Sequence, residues 1–375
     1  MTLFQFVTVI SKSDRVKNRD LRPNTMEEKA MFERKHKGQT MDRRDFLKIS
    51  GILGIGVASG GLLPISESVA FNRKLYKVTD AKMGMGTFVS ITALHPSKIQ
   101  AQEVIGMAFE EMDRLTNLLD RYRSDSPIGR LNREGALLDV PPEVAEVVAR
   151  SLYFHELSHG AFDITVQPLV DLYKKDFAAH GRAPSDAELD KVLDLVDSRS
   201  MSFDGKSIRF KKESMGITLD GIAKGYIIDR AAELIKATGI QHALINAGGD
   251  IRAAGGKKDG SPWKVGIQNP DKEGPFVDMV KMANGAVATS GNYDVYFDEE
   301  KLFHHIVNPK TGVSPRETSS VSVIAANVMD ADALSTTAFV LEPKAAKRFI
   351  DGLPGTECLI LGQKKNRVIS KGWPA

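Results

Sequence analysis

Oxygen-bearing side chains are concentrated in residues 328–337, VMDADALSTT, although the sequence around them is apolar and continues as AFVLEP. A buried carboxylate without a partner is strongly destabilising, so these side chains require one. On a helix, Asp332, Ser335 and Thr336 place one carboxylate and two hydroxyls on the same face. Oxygen ligands of this kind are those that Mg²⁺ prefers, together with backbone carbonyls, water and phosphate groups. The stretch therefore predicts a magnesium site near the start of a helix.

The same residues have an interpretation that involves no ligand. Asp330 is predicted to be the N-cap of the helix, which accounts for one of the two aspartates. Asp332 is predicted to lie inside the first turn, where a carboxylate interacts favourably with the helix dipole. Thr336 would then donate to a backbone carbonyl of its own helix. This stretch alone leaves both interpretations open.

A second stretch, residues 217–235, reads ITLDGIAKGYIIDRAAELI and leads into a helix predicted from about residue 226 to residue 237. Gly221 and Gly225 allow close approach of the backbone, and Lys224 adds a mobile positive charge. Backbone amides and the dipole at a helix N-terminus attract anions, so the stretch suits phosphate. It matches neither a Walker loop nor a dinucleotide fingerprint, and a simple glycine-flanked turn is the alternative.

Two further stretches contain residue types that bind or catalyse. Residues 245–256, INAGGDIRAAGG, place glycines in a strand, which predicts a bulge or a flat ligand against bare backbone. Residues 302–315, LFHHIVNPKTGVSP, contain His304 and His305 before a turn. A neutral imidazole accepts a proton from a hydroxyl near pH 7, so either histidine could be a general base. A purely structural histidine is the alternative at both positions.

Hydrophobic periodicity predicts the elements that position these residues. A strand is predicted over Thr87–Leu94, and further strands over 207–212, 216–220 and 242–255. Helices are predicted over 97–123, over 141–160, and after a capping box formed by Ser185 and Glu188. The predicted buried face of the first helix consists of Ile99, Ala108, Met112, Leu115 and Leu119.

The order of these elements predicts the fold class. Asn284 and Gly285 lie between two apolar runs, which predicts a β-hairpin. Helices and antiparallel strands alternate without a regular βαβ rhythm. The sequence therefore predicts an α+β fold with mixed or antiparallel sheets, in which two intertwined subdomains enclose a cleft.

Composition excludes several classes of function. The chain has 375 residues with 51 basic and 48 acidic side chains, so no strong electrostatic field indicates nucleic acid as a partner. Its single cysteine, Cys358, excludes an intramolecular disulfide and argues against structural zinc. The apolar sequence ECLILG around it predicts a buried strand.

Residues 1–70 are predicted to be a leader. The sequence MDRRDFLK at 41–48 precedes a glycine-containing apolar stretch and SESVA, which resembles a twin-arginine export signal cleaved before Phe71. Asp42 stands where Ser or Thr is usual, and Met41 is the better initiator. No lipobox cysteine follows. We therefore expect a periplasmic protein of residues 71–375 that is not a lipoprotein and has no membrane span after signal removal; a short N-terminal helix is the alternative.

Taken together, the motifs resemble those of the ApbE family, flavin transferases that move FMN from FAD onto a threonine or serine of a target protein. Eight blocks match in order between roughly residues 80 and 345: MGMGTFVSI, RYRSDSPIGRLN, GAFDITVQPLV, DGIAKGYIIDRAAELI, NAGGDIRAAG, ATSGNYDVYF, HHIVNPKTG and VMDADALSTTAFVL. The resemblance implies an ApbE-like, T-fold-like architecture with a flavin cleft, Mg²⁺ as cofactor and FAD as substrate.

The resemblance also assigns residues. It places FAD contacts at Met85, Tyr122, Ala161, Phe162, Asp163, Lys224 and Ile306, and magnesium ligands at Gly221 (through its carbonyl), Asp332, Ser335 and Thr336. His305 is implied as the base. Many members read DLGGIAKGY where this chain reads TLDGIAKGY, so Thr218 replaces the usual aspartate and Asp220 supplies a carboxylate two positions later. Which of the two contacts flavin is left open.

The implied protein substrates are exported or membrane-bound flavoprotein subunits of redox-driven ion pumps. Two other functions use the same residues. A magnesium-dependent FAD pyrophosphatase would release FMN and AMP, and a periplasmic flavin-binding protein would hold FAD without turnover.

Overall fold

The computed structural model describes residues 75–270, 274, 276–292, 296–297, 303–363 and 366–374. The predicted export signal and its cleavage site lie outside these residues. Within them, no helix combines the length and the apolar character that crossing a bilayer requires.

Eight helices and thirteen strands are formed by the described residues. The helices are α1 (Lys98–Leu119), α2 (Pro127–Glu134), α3 (Pro142–Leu157), α4 (Gln167–His180), α5 (Asp186–Leu193), α6 (Ala223–Ala237), α7 (Val328–Val340) and α8 (Pro343–Asp351). The strands are β1 (Tyr76–Gly84), β2 (Thr87–His95), β3 (Ala136–Leu138), β4 (Met201–Phe203), β5 (Ser207–Phe210), β6 (His242–Ala247), β7 (Asp250–Ala254), β8 (Trp263–Gln268), β9 (Phe276–Met282), β10 (Gly285–Gly291), β11 (Thr318–Ala325), β12 (Glu357–Gly362) and β13 (Arg367–Ile369).

The main structural unit is an eight-stranded antiparallel sheet in the order β1-β2-β6-β7-β10-β11-β12-β13. Successive residues of a strand point to opposite faces, so Ala286 and Ala288 join the core beneath α1, α6 and α7. Val287, between them, packs on the other face with Trp263 of the β8–β9 pair. This architecture confirms the predicted α+β class.

A second part of the chain lies between α1 and α6. It contains α2 to α5 and a three-stranded sheet in the order β3-β5-β4. Leu137 and Ile208 of this small sheet belong to the same core as the large sheet. The chain leaves the first part after α1 and returns to it at α6, which is the intertwined order that the sequence predicts.

Several predicted elements are confirmed. Strand β2, helices α1 and α3, and the capping box of Ser185 and Glu188 occur where the sequence places them. Cys358 is fully buried in β12. The predicted burial of Ile99 is wrong, because this side chain is 69% exposed at the solvent side of the first turn of α1.

Two turn predictions are wrong. Asn284 and Gly285 do not form a hairpin, because β9 pairs with β8 while β10 pairs with β7 and β11 in the large sheet. Instead, Oδ1 of Asn284 accepts from the amide of Gly255 at 3.0 Å. The single strand predicted over 242–255, with its glycines as a bulge or a surface for a flat ligand, is two strands: Gly248 and Gly249 form the tight turn between β6 and β7 with φ of 64° and 103°.

The predicted strand over 216–220 is also wrong. Both backbone hydrogen-bonding groups of Ile217 are taken by the side chain of Asn132, with two hydrogen bonds of 2.8 Å. The amide of Thr218 donates to the carbonyl of Ile164 at 2.8 Å. Strand β1, whose residues are mostly exposed or half-buried, has no counterpart among the predicted elements because it lacks a clear hydrophobic alternation.

Helices α6 and α7 cross at Gly225, and this close contact gives a stability prediction. A Cβ atom at Gly225 would lie 2.4 Å from the carbonyl oxygen of Val328 and 2.7 Å from Cα of Met329. Because both obstacles are backbone, Gly225→Ala is expected to lower the free energy of unfolding by about 3 kcal/mol, measured by urea denaturation. The control is Gly106→Ala on the exposed face of α1, where no atom lies within 4 Å. That variant should gain roughly 0.5 kcal/mol. Equal effects of the two substitutions would contradict the prediction.

Candidate active site

Helix α7 begins with a polar cap that corrects one prediction. Asn327 is the N-cap, and its Oδ1 accepts from the amide of Asp330 at 2.7 Å. Asp330 is therefore not the N-cap but a residue of the first turn, and it forms two hydrogen bonds of 2.7 Å with the guanidinium of Arg150. This carboxylate holds α7 against α3.

Asp332 lies two residues further along α7, just beyond the first turn where the sequence places it, and is 6% exposed. Its Oδ2 accepts from the amide of Gly225 at 3.1 Å, in the first turn of α6. One amide at the N-terminus of α6, in the stretch that suits an anion, thus donates to the carboxylate of Asp332. Gly225 is required for this arrangement because a side chain there would separate the two helices.

The surroundings of Asp332 disfavour its charge unless a cation is near. Burial raises the pKa of this carboxyl well above its ordinary value, and the carboxylate of Asp250 raises it further. Lys224 and the amide of Gly225 act in the opposite direction without cancelling the rise. A divalent cation would reverse this balance, so the electrostatics of the position fit a metal ligand.

Two hydroxyl side chains, Ser335 and Thr336, follow Asp332 along α7. The hydroxyl of Ser335, which is fully buried, donates to the carbonyl of Asp332 at 2.9 Å. Oγ of Ser290, on β10, lies 2.7 Å from Oγ of Ser335 and 3.3 Å from Oγ1 of Thr336. The alternative in which Thr336 bonds back to its own helix is wrong, because Ser335 and Thr337 make those bonds instead. Ser290 was not among the candidate residues.

Gly221 brings a third segment to this group. A Cβ atom at this position would lie 3.0 Å from Oγ1 of Thr336 and 3.4 Å from the ring of Phe162. The segment before α6, helix α7 and the Phe162 loop therefore meet here. The carboxylate of Asp332, the hydroxyls of Ser335 and Thr336 and the backbone at Gly221 form a set of oxygen donors that fits Mg²⁺.

Lys224 carries a positive charge at the same helix start. Its Nζ lies 2.7 Å from Oδ2 of Asp250, and Asp250 is 2% exposed. Oδ1 of Asp250 also accepts from the amide of Thr289 at 3.1 Å. Asp250 was not among the candidate residues, although a charged residue directly after a Gly-Gly turn in an apolar strand was a visible signal.

Thr218 and Asp220, the two candidates for the flavin contact in the TLDGIAKGY motif, have different surroundings. Thr218 is buried, and its Oγ1 accepts from the amide of Asp220 at 3.2 Å, so this side chain shapes the turn. Asp220 accepts from Nη2 of Arg121 at 2.7 Å. Desolvation opposes ionisation of Asp220, but the charge and hydrogen bonds of Arg121 hold its pKa below the ordinary value, and His305 lowers it further. Arg121 was not predicted as a site residue.

Tyr122 and Met85 both lie in turns outside the helices and strands. Tyr122 is 50% exposed, and its hydroxyl accepts from Arg121 at 2.6 Å and from Lys174 at 2.8 Å. Met85 adopts a φ of 50° in the two-residue turn between β1 and β2. Thr87, just after this turn, packs directly against Gly248. The Met85 turn therefore adjoins the Gly-Gly turn that precedes Asp250.

Residues 161–163 form a loop that is stabilised by hydrogen bonds to the side chain of Asp163. Ala161 and Phe162 are buried. The carboxylate of Asp163 accepts hydrogen bonds from both the amide and the hydroxyl of Thr165 and from Ser198, and it lies 3.0 Å from Nδ1 of His155. The side chain of Asp163 thus fixes the loop, and Phe162 is the residue of this loop that reaches Gly221.

The two adjacent histidines are clearly distinguished. His304 is 1% exposed, its Nε2 lies 3.0 Å from the carbonyl oxygen of Pro315, and its ring meets that of Phe339 edge-on. His305 is half-buried and interacts electrostatically with Asp220. Ile306 is buried in the main core. Of the two candidate bases, His305 is therefore the one that interacts with a polar side chain of the site, Asp220.

Known proteins resemble this chain in sequence and in fold. The model of the ApbE family matches residues 85–360. An FAD:protein FMN transferase of Escherichia coli (strain K12) is 30% identical over 279 residues, which are 71% of this chain and 79% of that protein. One of Vibrio cholerae is 28% identical over 267 residues, which are 68% of this chain and 79% of that protein.

Solved structures of ApbE proteins have a fold similar to that of this chain. The ApbE protein of Thermotoga maritima superposes with a TM-score of 0.72 at 30% identity, over 80% of this chain and 97% of that one. The flavin transferase ApbE of Vibrio cholerae gives 0.68 at 25% identity, over 79% and 98%. The chain belongs to the ApbE family.

Proposed function

We propose that this protein transfers the FMN part of FAD to a threonine or serine hydroxyl of a target flavoprotein and releases AMP. The observation that carries the proposal is the buried carboxylate of Asp332, which accepts from the first turn of α6, precedes two hydroxyls on α7 and interacts electrostatically with Lys224. Relatives named FAD:protein FMN transferase support the same reaction.

The residues of the chain have separable tasks in this proposal. Asp332, Ser335 and Thr336, with the carbonyl of Gly221, would hold Mg²⁺. When bound, the ion supplies positive charge that neutralises the diphosphate of FAD. Lys224 would bind the same diphosphate from the start of α6. Met85, Tyr122, Phe162 and Ile306, with the backbone of 161–163, are proposed to bind the rest of FAD.

The bond changes balance without a further reactant. The oxygen of the target hydroxyl attacks the phosphorus on the FMN side of the diphosphate, and a new phosphoester bond forms. The bond from that phosphorus to the bridging oxygen breaks, and AMP leaves with this oxygen. His305 accepts the hydroxyl proton as general base. Most of the rate is expected from positioning, because phosphoryl transfer requires little covalent participation of the protein.

The test combines purified protein, FAD, Mg²⁺ and candidate flavoprotein subunits. We expect mass spectrometry to show one covalent FMN on the target for each AMP released, and EDTA to abolish the adduct. Free FMN without an adduct would instead indicate an FAD pyrophosphatase. Stable FAD binding without any turnover would indicate a flavin-binding protein.

Export by the twin-arginine pathway to the periplasm is part of the proposal. It rests on the MDRRDFLK motif and the apolar stretch that follows it. The target proteins would then be exported or membrane-bound flavoprotein subunits of redox-driven ion pumps. Recovery of the protein in the cytoplasmic fraction alone, after expression of the full chain, would contradict this location.

A further inference from the structure

Two buried carboxylates and one lysine meet at the start of α6. Lys224 and Gly225 are adjacent, yet the ammonium of Lys224 lies on Asp250, and the amide of Gly225 donates to Asp332. Asp250 and Asp332 come from different elements, β7 and α7, and are 2% and 6% exposed. The ammonium of Lys224 therefore contacts one of two carboxylates that are both largely shielded from water.

Asp250 is a fixed acceptor rather than a mobile one. The amide of Thr289, on the neighbouring strand β10, donates to its Oδ1 at 3.1 Å. The Gly248–Gly249 turn positions the start of β7, and Gly248 packs against Thr87. Lysine has a long, flexible stem, so the position of its ammonium is set by the best fixed acceptor within reach.

Asp332 also lies within electrostatic range of Lys224, and the two carboxylates repel each other. If the ammonium moved to Asp332, it would occupy an oxygen that the proposed function requires for a cation. Two positive charges cannot share that carboxylate without mutual repulsion.

We infer that Asp250 is a positioning residue that holds Lys224 away from Asp332 and thereby leaves the carboxylate of Asp332 available to Mg²⁺. The inference rests on the metal site of the proposed function. It predicts that the effect of Asp250 on metal affinity acts through Lys224 and disappears when the lysine is removed.

The experiment is a double-mutant cycle with Mg²⁺ alone as the probe, measured by isothermal titration calorimetry on the purified full chain. Asp250→Asn is expected to weaken magnesium binding about 10- to 100-fold. Asparagine retains an oxygen for the amide of Thr289, so this bond can persist. Lys224→Met should bind magnesium at least as tightly as the wild type. The double variant should match Lys224→Met within about threefold, since no ammonium then competes.

Each contradictory result of the magnesium-binding cycle has its own interpretation. An equal loss from Asp250→Asn in both backgrounds would overturn the inference, because Asp250 would then act on the ion directly. Unchanged binding in Asp250→Asn would overturn it as well. If Asp250→Asn does not fold, weaker binding in Lys224→Met than in the wild type would overturn it. Absence of magnesium binding in the wild type would refute the metal site of the proposed function, and the inference with it.

Discussion

Replacing Asp332 with asparagine is expected to reduce FMN transfer roughly 1,000-fold or more, because the substitution removes the only carboxylate among the proposed magnesium ligands. The fold should survive. Asparagine has nearly the same volume, and its Oδ1 can still accept from the amide of Gly225. A carboxyl whose pKa is raised on folding destabilises the folded state at neutral pH, so its replacement removes a penalty. In EDTA, we expect the urea midpoint of the variant to equal or exceed that of the wild type.

The matched control for this experiment is Asp330→Asn. Asp330 lies on the same helix, two residues earlier, but its carboxylate binds Arg150 outside the oxygen cluster. This control should lose up to about 1 kcal/mol of stability and retain transfer. Transfer that persists in Asp332→Asn, or that is lost equally in both variants, would refute the assignment of Asp332 to the metal.

Replacing His305 with alanine is expected to lower kcat for FMN transfer about 100- to 1,000-fold, since the target hydroxyl would lose its proton acceptor. The dissociation constant for FAD should change little, because the diphosphate is bound by other residues. Single-turnover transfer kinetics measure the first quantity, and quenching of flavin fluorescence measures the second.

The adjacent His304 provides the control. His304→Ala removes a buried ring that contacts Phe339 and a hydrogen bond to the carbonyl of Pro315. We expect it to lower the free energy of unfolding by roughly 2–4 kcal/mol, whereas His305→Ala should leave stability nearly unchanged. Loss of FAD binding in His305→Ala would show that this histidine is structural and not a base.

The oxygen cluster could be predicted from sequence because its geometry is local. Asp332, Ser335 and Thr336 share a helix, and the spacing of three and four residues alone places them together. The two histidines could not be distinguished in the same way. Their roles depend on partners distant in the chain, Pro315 for His304 and Asp220 for His305.

The site residues that the sequence did not reveal also depend on contacts between positions far apart in the chain. Arg121, Asp250 and Ser290 act through contacts with Asp220, Lys224 and Ser335, and no local pattern encodes these pairs. The hairpin error at Asn284–Gly285 has a related cause. The turn signal is real, but the pairing of β8 with β9 and of β7 with β10 assigns its two flanking strands to different sheets.

The pairing of strand β2 with strand β6 constrains the folding pathway. Val89 pairs with Ala247, although the whole second part of the chain lies between them. This large loop must lose conformational entropy before its stabilising long-range contacts can form. Chains with such distant pairings therefore fold slowly. Arg121 lies inside this loop, and Thr336 follows it in the chain. An amino-terminal fragment or a nascent chain therefore lacks the complete constellation, and chemical competence arises only when global folding is finished.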